Sequence, residues 1–498
     1  MTRDGAEEDG TRRSGRRFRV GRSALILLLL AWVGTATYHV HKPLPDGLEG
    51  TGPMHESDHV RLLTDDTWTD DTGRRQLDHA IFDRVLTLID EAEELLVLDM
   101  FLFNDFAGDT AGADMRPLSR EVADALREKQ RDHPDMAIIV ITDPLNTLYG
   151  GIENPALRDM EEAGVEVIQT RLEVLRDSNP LWSGLWRLCC QWLGEPGSDG
   201  WLPNPVGEEP VPLRSLLALL NFKANHRKTL IADTPRGLTG LVTSANPHDA
   251  SSAHDNVALE FTGPAARDLL ETERAVARFS RPDLDWPRPP EAEQRRDPED
   301  AADTGTRLRI LTEAAIRDGV LSLIQQAEAG DRLDMAMFYL AHRAVVEALI
   351  DARRRGVEVR VLLDPNLAAF GREKGGLPNQ AVADELERAD VTVRWCRTRG
   401  EQCHGKFVMR HSGDRVGFIL GSANMTRRNL DNLNLETGVH VRADPEAAIA
   451  GDAVDFFEQR WNNPGERHHS VADGGNEGDG WLDYWRYRFM EATGLSTF

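Results

Sequence analysis

The chain has 498 residues, with 83 acidic against 58 basic side chains and a formal net charge of −25. That length exceeds one ordinary hydrophobic core and predicts two domains. The charge speaks against broad electrostatic binding to DNA or RNA, which relies on Lys and Arg neutralising phosphates, so no nucleic-acid partner is expected.

In chain order, the first feature is a basic segment, 1–22, containing Arg12, Arg13, Arg16, Arg17, Arg19 and Arg22. A nearly unbroken apolar run of 17 residues follows, Ala24 to Val40. That is short for a membrane span, which needs about 20 residues. An uncleaved anchor over 23–40 is the preferred reading, because no Ala-x-Ala site follows the run; a cleaved signal peptide is the alternative. Six Arg before the run and one Lys after it predict a cytoplasmic N-terminus and an extracytoplasmic remainder, such as a bacterial inner membrane facing the periplasm or cell exterior. Cys396 and Cys403 suit a bridge in an oxidising compartment, whereas adjacent Cys189 and Cys190 read as core or interface residues.

After a linker, 41–60, the chain carries two copies of one pattern. "HRKTLIADTPRGLTGLVTSAN" (226–246) is answered by "HGKFVMRHSGDRVGFILGSAN" (404–424), and in both copies the Ser follows the His by 18 residues. Each reads as a hairpin that projects a His and a Lys from one face of its first strand. Upstream, "LDMFLF" (98–103) pairs with "LDMAMF" (333–338), and "AIIVITDP" (137–144) with "VEVRVLLDP" (357–365). Downstream, "DNVALE" (255–260) pairs with "DNLNLE" (431–436). Helical spacing of Leu118, Val122 and Leu126, and of Val345 and Leu349, fills the gaps. The predicted fold is α/β: two repeats, 61–283 and 307–465, each a β-sheet flanked by helices, packed about a pseudo-twofold axis around one composite site. A Pro- and charge-rich linker, 284–306, joins them, and an aromatic tail, 466–498, closes the chain. As an internal pseudo-dimer it can act as a monomer.

Face-to-face packing would bring together His226, His404, Lys228, Lys406, Ser244, Ser422, Asn246 and Asn424. Ammonium and amide donors stabilise a phosphoryl transition state. One imidazole can attack phosphorus while the other protonates the departing alcohol and later activates the incoming one. Glu260 and Glu436, each assigned to the His of its own copy, would accept an Nδ1 proton and hold the ring. No His, Cys, Asp or Glu cluster stands at zinc spacing, so neither metal nor cofactor is expected.

The doubled His-x-Lys with Ser-x-Asn resembles the phospholipase D superfamily across both halves, roughly 60–465. The resemblance implies a two-step phosphodiester transfer through a phosphohistidine, with His226 as nucleophile and His404 as general acid and base. Asp233 completes the first motif; the second has His411 where the family has Asp. "GSANMTRRNLDNLNLE" is similar to the second motif of bacterial cardiolipin synthases. The reading is therefore a membrane-anchored, phospholipase D-type enzyme acting on phospholipids, with phosphatidyl transfer preferred. Hydrolysis to phosphatidic acid, an extracytoplasmic nuclease and a non-catalytic lipid-binding relative are the alternatives. The first copy also carries an insertion of about 48 residues, about 172–222, holding "NPLWSGLWRLCCQWLG". Its Trp182 and Trp186 are expected on a face that meets substrate lipid or packs on the core.

Overall fold

The computed structural model describes the chain except residues 1–6, 58, 107–114, 194–199, 205–208, 289–304, 370–371, 374, 473–479 and 497, and describes no side chains for 7–21 or 368–374. Most of the expected linker 284–306 therefore lies outside the described residues.

Helix α1 (Glu7–His41) contains the apolar run, and its segment Arg22–His41, 20 residues, is long and apolar enough to cross a membrane, as a span or as a signal sequence. The first half supplies strands β1 (Val60–Thr69), β2 (Leu95–Met100), β3 (Ala137–Thr142), β4 (Glu166–Gln169), β5 (Lys228–Thr234), β6 (Gly237–Thr243) and β7 (Asn256–Thr262). Its helices are α2 (Ile81–Glu91), α3 (Leu118–Asp132), α4 (Pro155–Glu162), α5 (Pro180–Cys189), α6 (Leu213–Leu219) and α7 (Pro264–Ser280). The second half supplies β8 (Thr306–Thr312), β9 (Arg332–Met337), β10 (Glu358–Leu363), β11 (Thr392–Cys396), β12 (Lys406–His411), β13 (Val416–Gly421) and β14 (Thr437–Ala443). Its helices are α8 (Ala314–Gln325), α9 (Arg343–Arg354), α10 (Asn379–Glu387), α11 (Arg427–Leu430), α12 (Ala448–Asn462) and α13 (Gly480–Thr493).

The two sheets share one plan. The shared strand order is β1-β7-β6-β5-β2-β3-β4 in the first, where Arg75–Asp78 adds a further strand beside β1, and β8-β14-β13-β12-β9-β10-β11 in the second. Strands β2, β3 and β4 run parallel, as do β9, β10 and β11, while the hairpins pair antiparallel. Parallel strands covered on both faces require continuous apolar runs, which is why "LLVLDM" and "AIIVIT" serve there. Helix α3 buries Leu118, Val122 and Leu126, the stripe that the spacing predicted. The helices α2 to α4 cover the outer face of the first sheet, and α8 to α10 that of the second. Between the halves lies a common core in which Ile231, Val242 and Phe261 meet Phe407, Phe418 and Phe457.

Segments on either side of the two halves add to the second sheet. The segment 41–60, expected as a linker, is structured: Leu48 is buried, and Gly50–Thr51 and His55–Glu56 pair with β8. Unpaired donors on that edge strand are satisfied in this way. At the other end Ser470–Val471 adds to β11, and α13 docks against α10 through buried Tyr487. Cys396 and Cys403 are joined as a disulfide. Cys189 and Cys190 are bonded to each other, and Cys189 is exposed rather than in the core.

Candidate active site

The structure brings His226, Lys228, His404 and Lys406 to one spot between the sheets, and each half holds the other's histidine. The His226 backbone N–H donates to Leu435 O at 2.9 Å, and the His404 N–H to Asp255 O at 2.8 Å. Side chains repeat the exchange. His226 Nδ1 lies 2.9 Å from a Glu436 carboxylate oxygen, and His404 Nδ1 lies 3.1 Å from Asn256 Oδ1. Glu436 thus serves the opposite histidine from the one the sequence reading gave it.

Glu260 does not serve His226. Its carboxylate is bound by Arg84 at 2.6 Å and by His59 at 3.1 Å, at the far end of β7. Pairing shows why. Ser244 N donates to Val257 O and Ser422 N to Thr437 O, so Asn256, not Glu260, is the counterpart of Glu436. The connection from the Ser to this position is two residues shorter in the first copy (244 to 256 against 422 to 436). The strings "DNVALE" and "DNLNLE" are therefore out of register by four. An even shift keeps every side chain on its face, so the apolar pattern could not expose it. The "LDM" match slips likewise. Met100 pairs with Lys228 and Met337 with Lys406, which aligns Phe101 with Phe338. These two rings are true counterparts: Phe101 lies 4.8 Å from the His226 ring and Phe338 5.2 Å from that of His404. Each also lies under its lysine, at 5.0 and 5.3 Å.

The tautomers follow from the partners. Asn256 Nδ2 donates to the carbonyls of Ser251 and His254, which fixes the amide with Oδ1 toward His404. His404 must then carry its proton on Nδ1 and turn Nε2 to the centre. The Glu436 carboxylate imposes the same tautomer on His226. Ser244 and Ser422, expected to touch substrate, instead hold these orienting groups. Ser244 Oγ donates to Asn256 Oδ1 at 3.0 Å and Ser422 Oγ to Glu436. Each hydroxyl also accepts a backbone N–H, from Val257 and Thr437.

Lys228 and Lys406 are buried and each donates to the carbonyl of its own histidine residue, at 2.7 and 2.6 Å. Asn246 Oδ1 accepts from Leu102 N, and among the described residues neither Asn246 nor Asn424 commits its Nδ2 to a protein acceptor. Asp143 and Asp364, which the sequence reading left without a role, accept the N–H of Asn225 and Cys403, the residues just before the histidines. Their Asp-Pro signals were visible. His254 gave no signal: it comes from the first half, and its ring lies 5.9 Å from that of His404.

Electrostatics mark this spot as an anion site. Burial pushes His226 down to about 4 against the pull of Glu436. Burial, then repulsion from Lys406 and His254, pushes His404 well below the imidazole range. Burial brings Lys228 down to about 7, and burial with the charge of Lys228 drives Lys406 well down. Burial also opposes the charge of Glu436, yet His226, Lys228 and Ser422 hold it below the usual carboxylate range. Four basic groups crowd a buried space that disfavours their charged forms, and an anion bound among them would favour protonation.

Asp233 clamps rather than reacts: its carboxylate accepts the N–H groups of Glu93, Glu94 and Leu95 at the head of β2. In the second half the tie is reversed. His411 cannot accept in this way, and Arg410 beside it pairs at 2.8 Å with Asp331 at the head of β9. Trp182 and Trp186 are not placed among these groups. Trp182 donates to Leu217 O and Trp186 lies under Arg214, so both knit α5 to the α6 segment.

Residues 320–461 match the family model "Cardiolipin synthase, PLD-like domain". No curated protein sequence matches the chain. Among solved structures, phosphatidylserine synthase from Haemophilus influenzae Rd KW20 superposes with a TM-score of 0.53 at 12% identity, covering 89% of this chain and 96% of that one. Polyphosphate kinase from Porphyromonas gingivalis gives 0.42 at 11% identity, over 88% and 56% of the two chains. Nuc, a phospholipase D family member from Salmonella typhimurium, gives 0.27 at 20% identity, over 33% and 99%.

Proposed function

We propose that this chain, which belongs to the phospholipase D superfamily by the sequence of its second half and by its fold, is a membrane-anchored enzyme that transfers phosphatidyl groups between alcohols through a phosphohistidine. The carrying observation is the pair of interlocked His-Lys sets, each histidine fixed by the other half with Nε2 toward a common anion site. Superfamily membership supports phosphodiester chemistry at that level, and the cardiolipin synthase model over residues 320–461 supports a phospholipid substrate.

In the first step His226 Nε2 attacks phosphorus, the P–N bond forms, and the P–O bond to the leaving alcohol breaks. His404 supplies the proton that this alkoxide takes. In the second step His404 removes the proton of the incoming alcohol, whose oxygen displaces His226. Lys228, Lys406 and the two Asn amides bind the non-bridging oxygens throughout. His226 suits the nucleophile role because its Nδ1 proton faces a carboxylate, which stabilises the charge that develops on the ring as phosphorus bonds to Nε2. Membrane placement rests on Arg22–His41 and on the arginines that precede it.

A nitrophenyl phosphodiester, whose leaving group needs no acid, separates the two roles. His404→Ala should release one equivalent of nitrophenolate in a burst and stall as an alkali-stable, acid-labile adduct on His226. His226→Ala should release none. The reverse pattern would overturn the assignment. Phosphatidylglycerol with and without an added alcohol, read by lipid mass spectrometry, distinguishes transfer from hydrolysis.

A further inference from the structure

The insertion of the first half leaves the core after Leu172 and Leu175, and its helix α5 packs on α1. Trp32 Nε1 donates to Leu181 O at 2.8 Å, and the Asp177 N–H donates to His39 O at 3.0 Å. Gly184 lies against Trp32 and Ala36, where a Cβ would come within 3.0 Å of the indole. The residue before α5, Asp177, meets His39, and Leu181 and Gly184 within α5 meet Trp32 and Ala36, so α5 packs on the later half of the apolar run of α1. At 1.5 Å per residue the 20-residue segment of α1 is about 30 Å long and the ten residues of α5 about 15 Å. Helix α5 is thus about half as long as the apolar segment of α1.

The side of α5 turned away from the protein is apolar. Leu181, Leu185, Leu188 and Leu193 are exposed, and Trp192 is 68% exposed. The charges of this segment are turned inward: Arg187 pairs with buried Asp177 at 2.5 Å, which also holds Lys223 at 2.8 Å. The start of α5 meets the end of α13, where Gly494 is pressed against Ser178 O. Helix α13 continues the surface with a stripe at positions i, i+4 and i+8: Trp481, Trp485 and Phe489, the first 75% exposed. Indole rings at the end of an apolar surface suit the headgroup level of a bilayer. The same region leads to the anion site: Arg428, four residues after Asn424, donates to Gly494 O and Ser496 O and lies over Phe222.

We infer that α5 is embedded beside α1 in the leaflet from which α1 emerges, with the α13 stripe at its headgroup level, so that the phosphodiester site draws lipid from that leaflet. This rests on the reading of Arg22–His41 as a retained anchor. A second, half-length helix packed on the anchor would hold the catalytic halves against the bilayer where a single span would leave them tethered.

The test uses the full chain in nanodiscs of phosphatidylcholine and phosphatidylglycerol doped with a phosphatidylcholine bearing an acyl-chain diazirine. After irradiation, peptide mass spectrometry should find adducts on α1, on residues 181–193 and on α13. Adducts on α1 alone would overturn the inference and leave the anchor intact; none on α1 would overturn both. In the same nanodiscs, the double variant Leu185→Asp, Trp192→Asp should lose about tenfold in phosphatidylglycerol turnover and retain turnover of the soluble nitrophenyl diester. Equal loss on both substrates would overturn the role in lipid delivery. Adducts on α5 in a protein with no phospholipid turnover would uphold the surface and sink the lipid-substrate reading.

Discussion

The two halves agree in frame and differ in the group that backs each histidine. Each contributes a His, a Lys, an aromatic ring beneath them, a buried Asp on the preceding backbone and a Ser-x-Asn turn. Yet His226 is backed by a carboxylate and His404 by an amide. A carboxylate stabilises positive charge on its imidazole, whereas an amide oxygen fixes the tautomer with far less effect on basicity. In the proposed mechanism the same scaffold therefore suits one imidazole to the nucleophile's role and leaves the other readier to give up its proton. Symmetry builds the site, and its breaking divides the labour.

Four substitutions test this comparison. The largest effect belongs to Glu436→Gln, which should lower kcat by about 10²- to 10³-fold with little change in KM, because it removes charge from the nucleophile's partner while keeping its shape. Next is Asp233→Ala, which strands three backbone donors at the head of β2 and should cost about 2–3 kcal/mol in urea denaturation. Third, Asn256→Asp places a negative charge beside His404. Its pKa rises, the acid form persists to higher pH, and the alkaline limb of kcat/KM should move up by about one unit. A limb that stays in place would show that His404 is not the acid. Smallest is Arg410→Met: its partly buried pair with Asp331 is one ion pair where Asp233 holds three backbone donors, so the loss should be about 1 kcal/mol. Equal losses at 233 and 410 would mean that the second half depends on its substitute clamp as heavily as the first depends on Asp233.

Much of this was legible in the sequence. Repeated spacing revealed both hairpins, the α/β frame, and the meeting of His226, Lys228, His404 and Lys406, because the His-to-Ser distance is set by hairpin geometry and is equal in both copies. The orienting groups were not legible. Glu260 is a glutamate in the right string on the wrong turn of the strand, and a two-residue difference in a connecting loop leaves no trace in an alternating pattern. Nor does a linear repeat say which half serves which histidine. Trp182 and Trp186 misled for another reason: the most conspicuous residues of the insertion are its internal packing, and the plainer Leu185 and Leu188 face outward.

The crossed hydrogen bonds at Leu435 and Asp255 separate where a trait is encoded from where it is felt. Position 436 lies in the second copy but orients the first copy's histidine, and position 256 does the converse. Neither copy can therefore specialise alone. A change in one rewrites the job description of its sibling, so that the two repeats, once joined in a single chain, must evolve as one unit.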